Sequence, residues 1–114
     1  MKRILFSGLL ASILVSYTAS ADIVGNETLA SITKIWTDGS WGGGHVLITI
    51  DAPVPGCYGY WIEPNSAGSK ENTSFALSAF HTRSRILIYG DTSSIWQGNS
   101  NPFCKLYSIQ LPAP

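Results

Sequence analysis

The chain carries two cysteines, Cys57 and Cys104, and whether they bond to each other constrains its fold more than any other feature. The N-terminus bears on that question. Lys2 and Arg3 make the start of the chain positive, Ile4-Leu5-Phe6 and Leu9 to Val15 form an apolar middle, and a polar stretch ends in Ala19-Ser20-Ala21. A basic end, an apolar middle and a small-x-small site are what translocation and signal peptidase read, so residues 1–21 are expected to be a cleavable secretory signal. A retained membrane anchor fits less well: Ser7, Gly8 and Ser12 interrupt an apolar run shorter than the ~20 residues needed to span a bilayer. No later segment is long and apolar enough to cross, so the mature protein is expected to be secreted or periplasmic and not integral to a membrane. In an oxidising compartment an even cysteine count points to a disulfide, and two cysteines allow one pairing, Cys57–Cys104. Closing so long a loop disfavours the unfolded chain by roughly 4 kcal/mol in the chain-entropy model. That is a large share of stability for a single small domain spanning 22–114. A metal role has no support: there is no Cys-x-x-Cys, and His45 and His81 form no ligand spacing with either cysteine.

Removing the signal also changes the charge. Loss of Lys2 and Arg3 takes seven basic residues to five against seven acidic ones, a net of −2. With no basic stripe to neutralise phosphates and no polybasic cluster for anionic lipid, neither nucleic acid nor a membrane surface is an expected partner.

Along the mature chain, residues 22–29 form a short polar terminal arm. Ser31 to Thr37 is rich in β-branched and aromatic residues and reads as a first strand. The glycine-rich stretch Asp38 to Gly44 is a turn or loop, and His45 to Ile50 a second strand. Pro53 and Pro55 bar further ladder pairing, and Cys57 to Ile62 is a third strand. In Lys70 to Arg83, the spacing of Ala76, Leu77, Ala79 and Phe80 fits one face of a helix, with Ser69 or Asn72 as N-cap. Arg85 to Tyr89 is a fourth strand, Gly90 to Ser94 a turn, Gln97 to Pro102 a polar loop. The final strand, Phe103 to Leu111, alternates with Cys104, Leu106, Ser108 and Gln110 on one side. This mostly β order, β-β-β-α-β-β, is that of an oligomer-binding (OB) fold, a five-stranded Greek-key barrel with one helix. The disulfide would tie strand three to strand five. A five-stranded sandwich is the competing arrangement.

One pattern covers roughly residues 30–111. Gly56-Cys57-Tyr58-Gly59-Tyr60-Trp61-Ile62 opens a strand, and Phe75-Ala76-Leu77-Ser78-Ala79-Phe80-His81-Thr82-Arg83 forms a helix before a basic turn. The strand Ile86-Leu87-Ile88-Tyr89 and a Trp-containing turn, Ile95-Trp96-Gln97-Gly98, follow, and Cys104 leads a last strand. The pattern resembles small exported bacterial proteins similar to the B subunits of subtilase-cytotoxin-like and pertussis-like toxins. The resemblance implies an OB-fold subunit that assembles as a homopentamer and binds glycans on host glycoproteins or glycolipids, in some cases alongside a separate enzymatic A subunit. It carries over no glycan-contacting residue by position. In an exported bacterial protein the triplets Asn26-Glu27-Thr28 and Asn72-Thr73-Ser74 say little about glycosylation.

No enzyme is expected. The chain has no Gly-x-Ser-x-Gly, no His-Glu-x-x-His and no phosphate-binding loop, and no cofactor is implied. His81 ends the helix, where a cation complements the dipole, and His45 opens a strand as an exposed residue. Binding through aromatic rings has more support, because sugar rings present C–H faces to aromatics and hydroxyls to polar groups. Trp41, in the glycine-rich loop, is the leading candidate. Trp96 follows, beside Gln97, Asn99, Ser100 and Asn101, and Tyr58 and Tyr60 are expected on one face of strand three. The competing reading has Trp41 and Trp96 folding back as loop anchors or entering a subunit interface, while Trp36 and Trp61 belong to the core. The alternative function is a periplasmic or surface accessory protein that binds a protein partner through an exposed strand or aromatic patch.

Overall fold

The computed structural model describes residues 22–39 and 44–114; the segment 1–21 expected to be a secretory signal, and the candidate Trp41, lie outside them. Six strands and one helix follow in the order β1 (Ile23–Gly25), β2 (Ala30–Asp38), β3 (His45–Ile50), β4 (Gly59–Ile62), α1 (Ser69–Thr82), β5 (Arg85–Ile95) and β6 (Phe103–Gln110). Neighbours run β1-β5-β2-β3-β4-β6, and β5 also pairs with β6, so β2 to β6 return on themselves as a closed circuit. All pairings are antiparallel except β4 with β6, where Gly59, Tyr60 and Trp61 run parallel to Phe103, Cys104 and Lys105. The seam between β2 and β5 is the weakest, two residue pairs long (Ala30↔Ile86, Ser31↔Arg85).

The interior follows from period-two alternation. Ile48 and Ile50 of β3, Tyr60 and Ile62 of β4, Ile86 and Ile88 of β5, and Cys104, Leu106 and Ile109 of β6 point into one cluster with Ala76 and Ala79 of the helix. Each fully buried Leu or Ile stabilises by ~1.5–3 kcal/mol. The helix offers alanines to β2, β4 and β6, so it seats close to the sheet. Cys57, just before β4, bonds to Cys104 of β6 across a Cα–Cα distance of 5.4 Å. Both are buried, and the expected tie between the third and fifth strands of the barrel is present.

Four local expectations are corrected. The polar arm at 22–29 contains a strand: β1 pairs with β5, and Asn26 behind it is buried. The Asn26 amide donates to the carbonyls of Thr28 (2.9 Å) and Ile86 (3.1 Å), and its Oδ1 accepts from the Ile88 amide (2.7 Å), which fixes the arm to β5. The turn expected at Gly90 to Ser94 is strand, because β5 runs on to Ile95 through two register shifts against β6. Gly90 sits there because a Cβ would lie 2.8 Å from the Tyr60 ring. In β6 the simple alternation fails at Tyr107, an extra residue between Leu106 (opposite Gly90) and Ser108 (opposite Tyr89). That bulge throws Tyr107 out to solvent and turns Ile109 inward, in place of Ser108. Finally, the helix has no side-chain N-cap: Gly68, in the left-handed region, precedes it, and neither Ser69 nor Asn72 caps it. At the other end the Arg83 amide bonds Phe80 O and the Ser84 amide bonds Ala79 O. This is the Schellman closure, with Arg83 in the left-handed position (φ 58) that glycine usually takes.

Candidate functional site: an aromatic face outside the barrel

The strand positions that alternate with the interior build a second, smaller cluster on the outer face. Register alone assembles it: Trp36 of β2 pairs with Leu47 of β3, Leu47 with Trp61 of β4, and Trp61 with Lys105 of β6. The row is thus continuous across four strands, with cross-strand neighbours in side-chain contact range. Phe103 and Trp96 complete it, and Leu47, Trp61, Trp96 and Phe103 are all buried while Trp36 is partly so.

Phe103 is the hub. Its ring meets Trp36 edge-on at 5.9 Å, Trp96 at 5.9 Å and Tyr58 at 5.6 Å between centroids, separations at which aromatic pairs attract beyond area burial. Trp96 leaves the end of β5 and is held from three sides. Its backbone N–H donates to Phe103 O (2.9 Å), its indole Nε1–H donates to His45 Nδ1 (3.1 Å), and its ring covers Gly98, where a Cβ would collide with the indole. Accepting at Nδ1 puts the proton of neutral His45 on Nε2. His45 also meets the Trp61 ring edge-on at 5.1 Å, so it is packed and not simply exposed as expected. Trp61 Nε1 donates to Ser94 O (3.1 Å), which holds the far end of β5.

Two cations border the face. Lys34 Nζ stands 4.4 Å from the Trp36 ring centroid and Lys105 Nζ 5.9 Å from that of Trp61, each contact worth ~0.5–1 kcal/mol at an exposed site. Lys105 also pairs with Glu63 at 2.9 Å; this half-exposed bridge contributes little. Among the described residues no group of three or more His, Cys, Asp or Glu is placed to hold a metal ion.

The structure separates the sequence candidates. Trp96 is 6 % exposed and anchors its loop, so its ring offers little face to a ligand. Tyr58 is half exposed, at the rim next to Phe103. Tyr60 does not share its face: it is fully buried inside the barrel, its hydroxyl lacks a hydrogen-bond partner, and burial pushes its pKa up to about 12. Asn99 is exposed in the loop after Trp96, where its Oδ1 accepts from the Asn101 amide (2.9 Å). Trp36, expected in the core, is a half-buried ring of the outer face. Phe103 was not a candidate, and His45 was set aside as an exposed residue opening a strand. Pairing register is the signal that finds Phe103: it lies opposite Gly59, where a Cβ would collide with its ring.

Comparison with protein-family models, with curated proteins and with solved structures finds no match.

Proposed function

We propose that this chain is an exported, non-enzymatic carbohydrate-binding subunit on an OB-type barrel, working as a ring of copies in the manner of toxin B subunits. One observation carries the reading: Tyr58 and Trp36 present partly exposed rings that both pack on a buried Phe103. Rings held this way lose little entropy when a sugar packs on them. In support of the OB type are the closed circuit β2-β3-β4-β6-β5, the parallel β4–β6 pair and the helix between β4 and β5. A buried disulfide is in keeping with an oxidising compartment, and no described helix is long and apolar enough to cross a membrane. The target would be a glycan on a host glycoprotein or glycolipid, with a separate enzymatic subunit as an optional partner.

The test is a glycan array on the oxidised mature protein beside native mass measurement. A glycan signal that falls at least tenfold in Tyr58→Ala or Trp36→Ala, on a homopentamer, is the expected result. A monomer that binds no glycan sinks the proposal. The protein-partner reading rests on a different feature: among the described residues β2 pairs only with β3 from Ile32 onward, which leaves its other edge without a strand partner for augmentation. Capture of a stoichiometric protein partner, unaffected by sugars, would favour it.

A further inference from the structure

We propose a second binding site, for a carboxylated or sulfated sugar, in the groove between the C-terminal end of α1 and the start of β2. This rests on the carbohydrate-binding reading for the sugar scaffold, but not on the outer aromatic face. The groove has a volume of about 570 Å³ and is lined by Ser31, Ile32, Thr33, Phe80, His81 and Arg83. That set divides by chemistry. Phe80, 37 % exposed although it is a large apolar ring, offers a face for the C–H side of a pyranose. Ser31 and Thr33 supply hydroxyls. Arg83 supplies a planar fork suited to two oxygens of one carboxylate or sulfate, and His81 lies beside it. No carboxylate lines the groove, although acids outnumber bases in the mature chain.

Two further observations single out Arg83. Its guanidinium makes no hydrogen bond or ion pair among the described residues. Arg85, by contrast, spends its own on Leu29 O at 2.8 Å. Asp51, whose carboxylate accepts from the Ser31 amide (2.9 Å), makes no ion pair with Arg83. Second, Arg83 occupies the left-handed helix-closing position where glycine is favoured. A side chain kept there at a conformational cost, unpaired and beside a groove, is accounted for by a ligand it has yet to meet.

The left-handed position also supplies a clean variant. Arg83→Gly removes the guanidinium while suiting the backbone, so it should melt at or above the parent temperature. The experiment is an amide NMR titration of the oxidised mature protein with glucuronate, glucose 6-sulfate and neutral glucose as probes, on the parent, Arg83→Gly and Phe80→Leu. Expected are shifts centred on Phe80 to Ser84 and Ser31 to Thr33 with the acidic sugars and not with glucose. Arg83→Gly should weaken them roughly ten- to hundredfold, the weight of a charge-assisted pair; Phe80→Leu should weaken them by less. A response to only one of the two acids assigns the site to carboxylate or to sulfate. Equal shifts with glucose, or unchanged affinity in Arg83→Gly, overturn the proposal. Shifts confined to Tyr58 and Trp36 overturn it and leave the glycan-binding reading standing; no shifts with any probe, joined to a blank array, remove both.

Discussion

Trp96 decides between two uses of a tryptophan in a polar loop, and Trp96→Ala separates them. A buried tryptophan takes ~150–250 Å² out of water, which at ~25 cal/mol per Å² is an upper figure of about 4–6 kcal/mol. Aromatic-to-alanine substitutions in cores cost ~3–5 kcal/mol. Here the ring is 6 % exposed, and its indole N–H bond to His45 adds about 1 kcal/mol. The expected loss is therefore about 4 kcal/mol, a fall in midpoint on the order of 15–30 °C for a domain of this size. Urea unfolding followed by far-UV circular dichroism measures it without relying on tryptophan emission. Trp96→Phe keeps a ring over Gly98 but loses the donor, and should cost about 1–2 kcal/mol. If Trp96→Ala stays within about 1 kcal/mol of the parent while glycan binding disappears, the ring is a ligand surface and the anchoring argument is wrong.

Reduction of Cys57–Cys104, or the double substitution to alanine, should cost about 4 kcal/mol by loop-closure entropy over its separation of 47 residues; a thermal shift below about 5 °C on adding reductant refutes this. Tyr60 gives an alkaline signature. Its pKa is raised to about 12 in the fold against 10.0 unfolded, so between those values only the unfolded state has released the proton. Stability is thus complete below pH 10 and falls by about 1.4 kcal/mol per pH unit up to pH 12. Tyr60→Phe should flatten that slope at no cost near neutrality, since the hydroxyl has no partner to lose; an unchanged slope would assign it elsewhere. Asn26→Ala strands the Ile88 N–H and the Ile86 carbonyl, and should cost about 1–3 kcal/mol. Hydrogen exchange should localise the opening to β1 and β5.

Much of the barrel was legible because its strands are β-branched runs punctuated by Gly and Pro. The helix was legible too, as Ala76 and Ala79 recur at helical spacing. What was hidden depends on partners distant in the chain. Ile23-Val24-Gly25 is too short to read as strand, and it becomes one only because β5 and Asn26 supply its bonds. Gly90 to Ser94 has the composition of a turn, yet Gly90 and Asp91 pair with β6 and Thr92 bonds the Asp22 carbonyl, a case of tertiary context overriding local propensity. The site was harder still. Tyr58 and Tyr60 share parity, but Tyr58 precedes the first paired residue of β4, so the rule that i and i+2 share a face does not reach it. Trp36 and Phe103 come together only once β2, β3, β4 and β6 are laid in register.

The adjacency of Phe103 and Cys104 links these levels. Consecutive strand residues face opposite sides, so one step along β6 passes from the hub of the outer rings to the disulfide in the interior. The bond that restrains the unfolded chain thereby also sets the depth and register of Phe103 in the fold. Tyr58 is placed by the same device, because it follows Cys57 and its amide bonds Pro102 O (2.7 Å), immediately before Phe103. The two half-cystines therefore carry Tyr58 and Phe103 as direct chain neighbours. On this geometry the disulfide acts on the surface as well as the core: it holds the half-exposed Tyr58 ring against the buried Phe103.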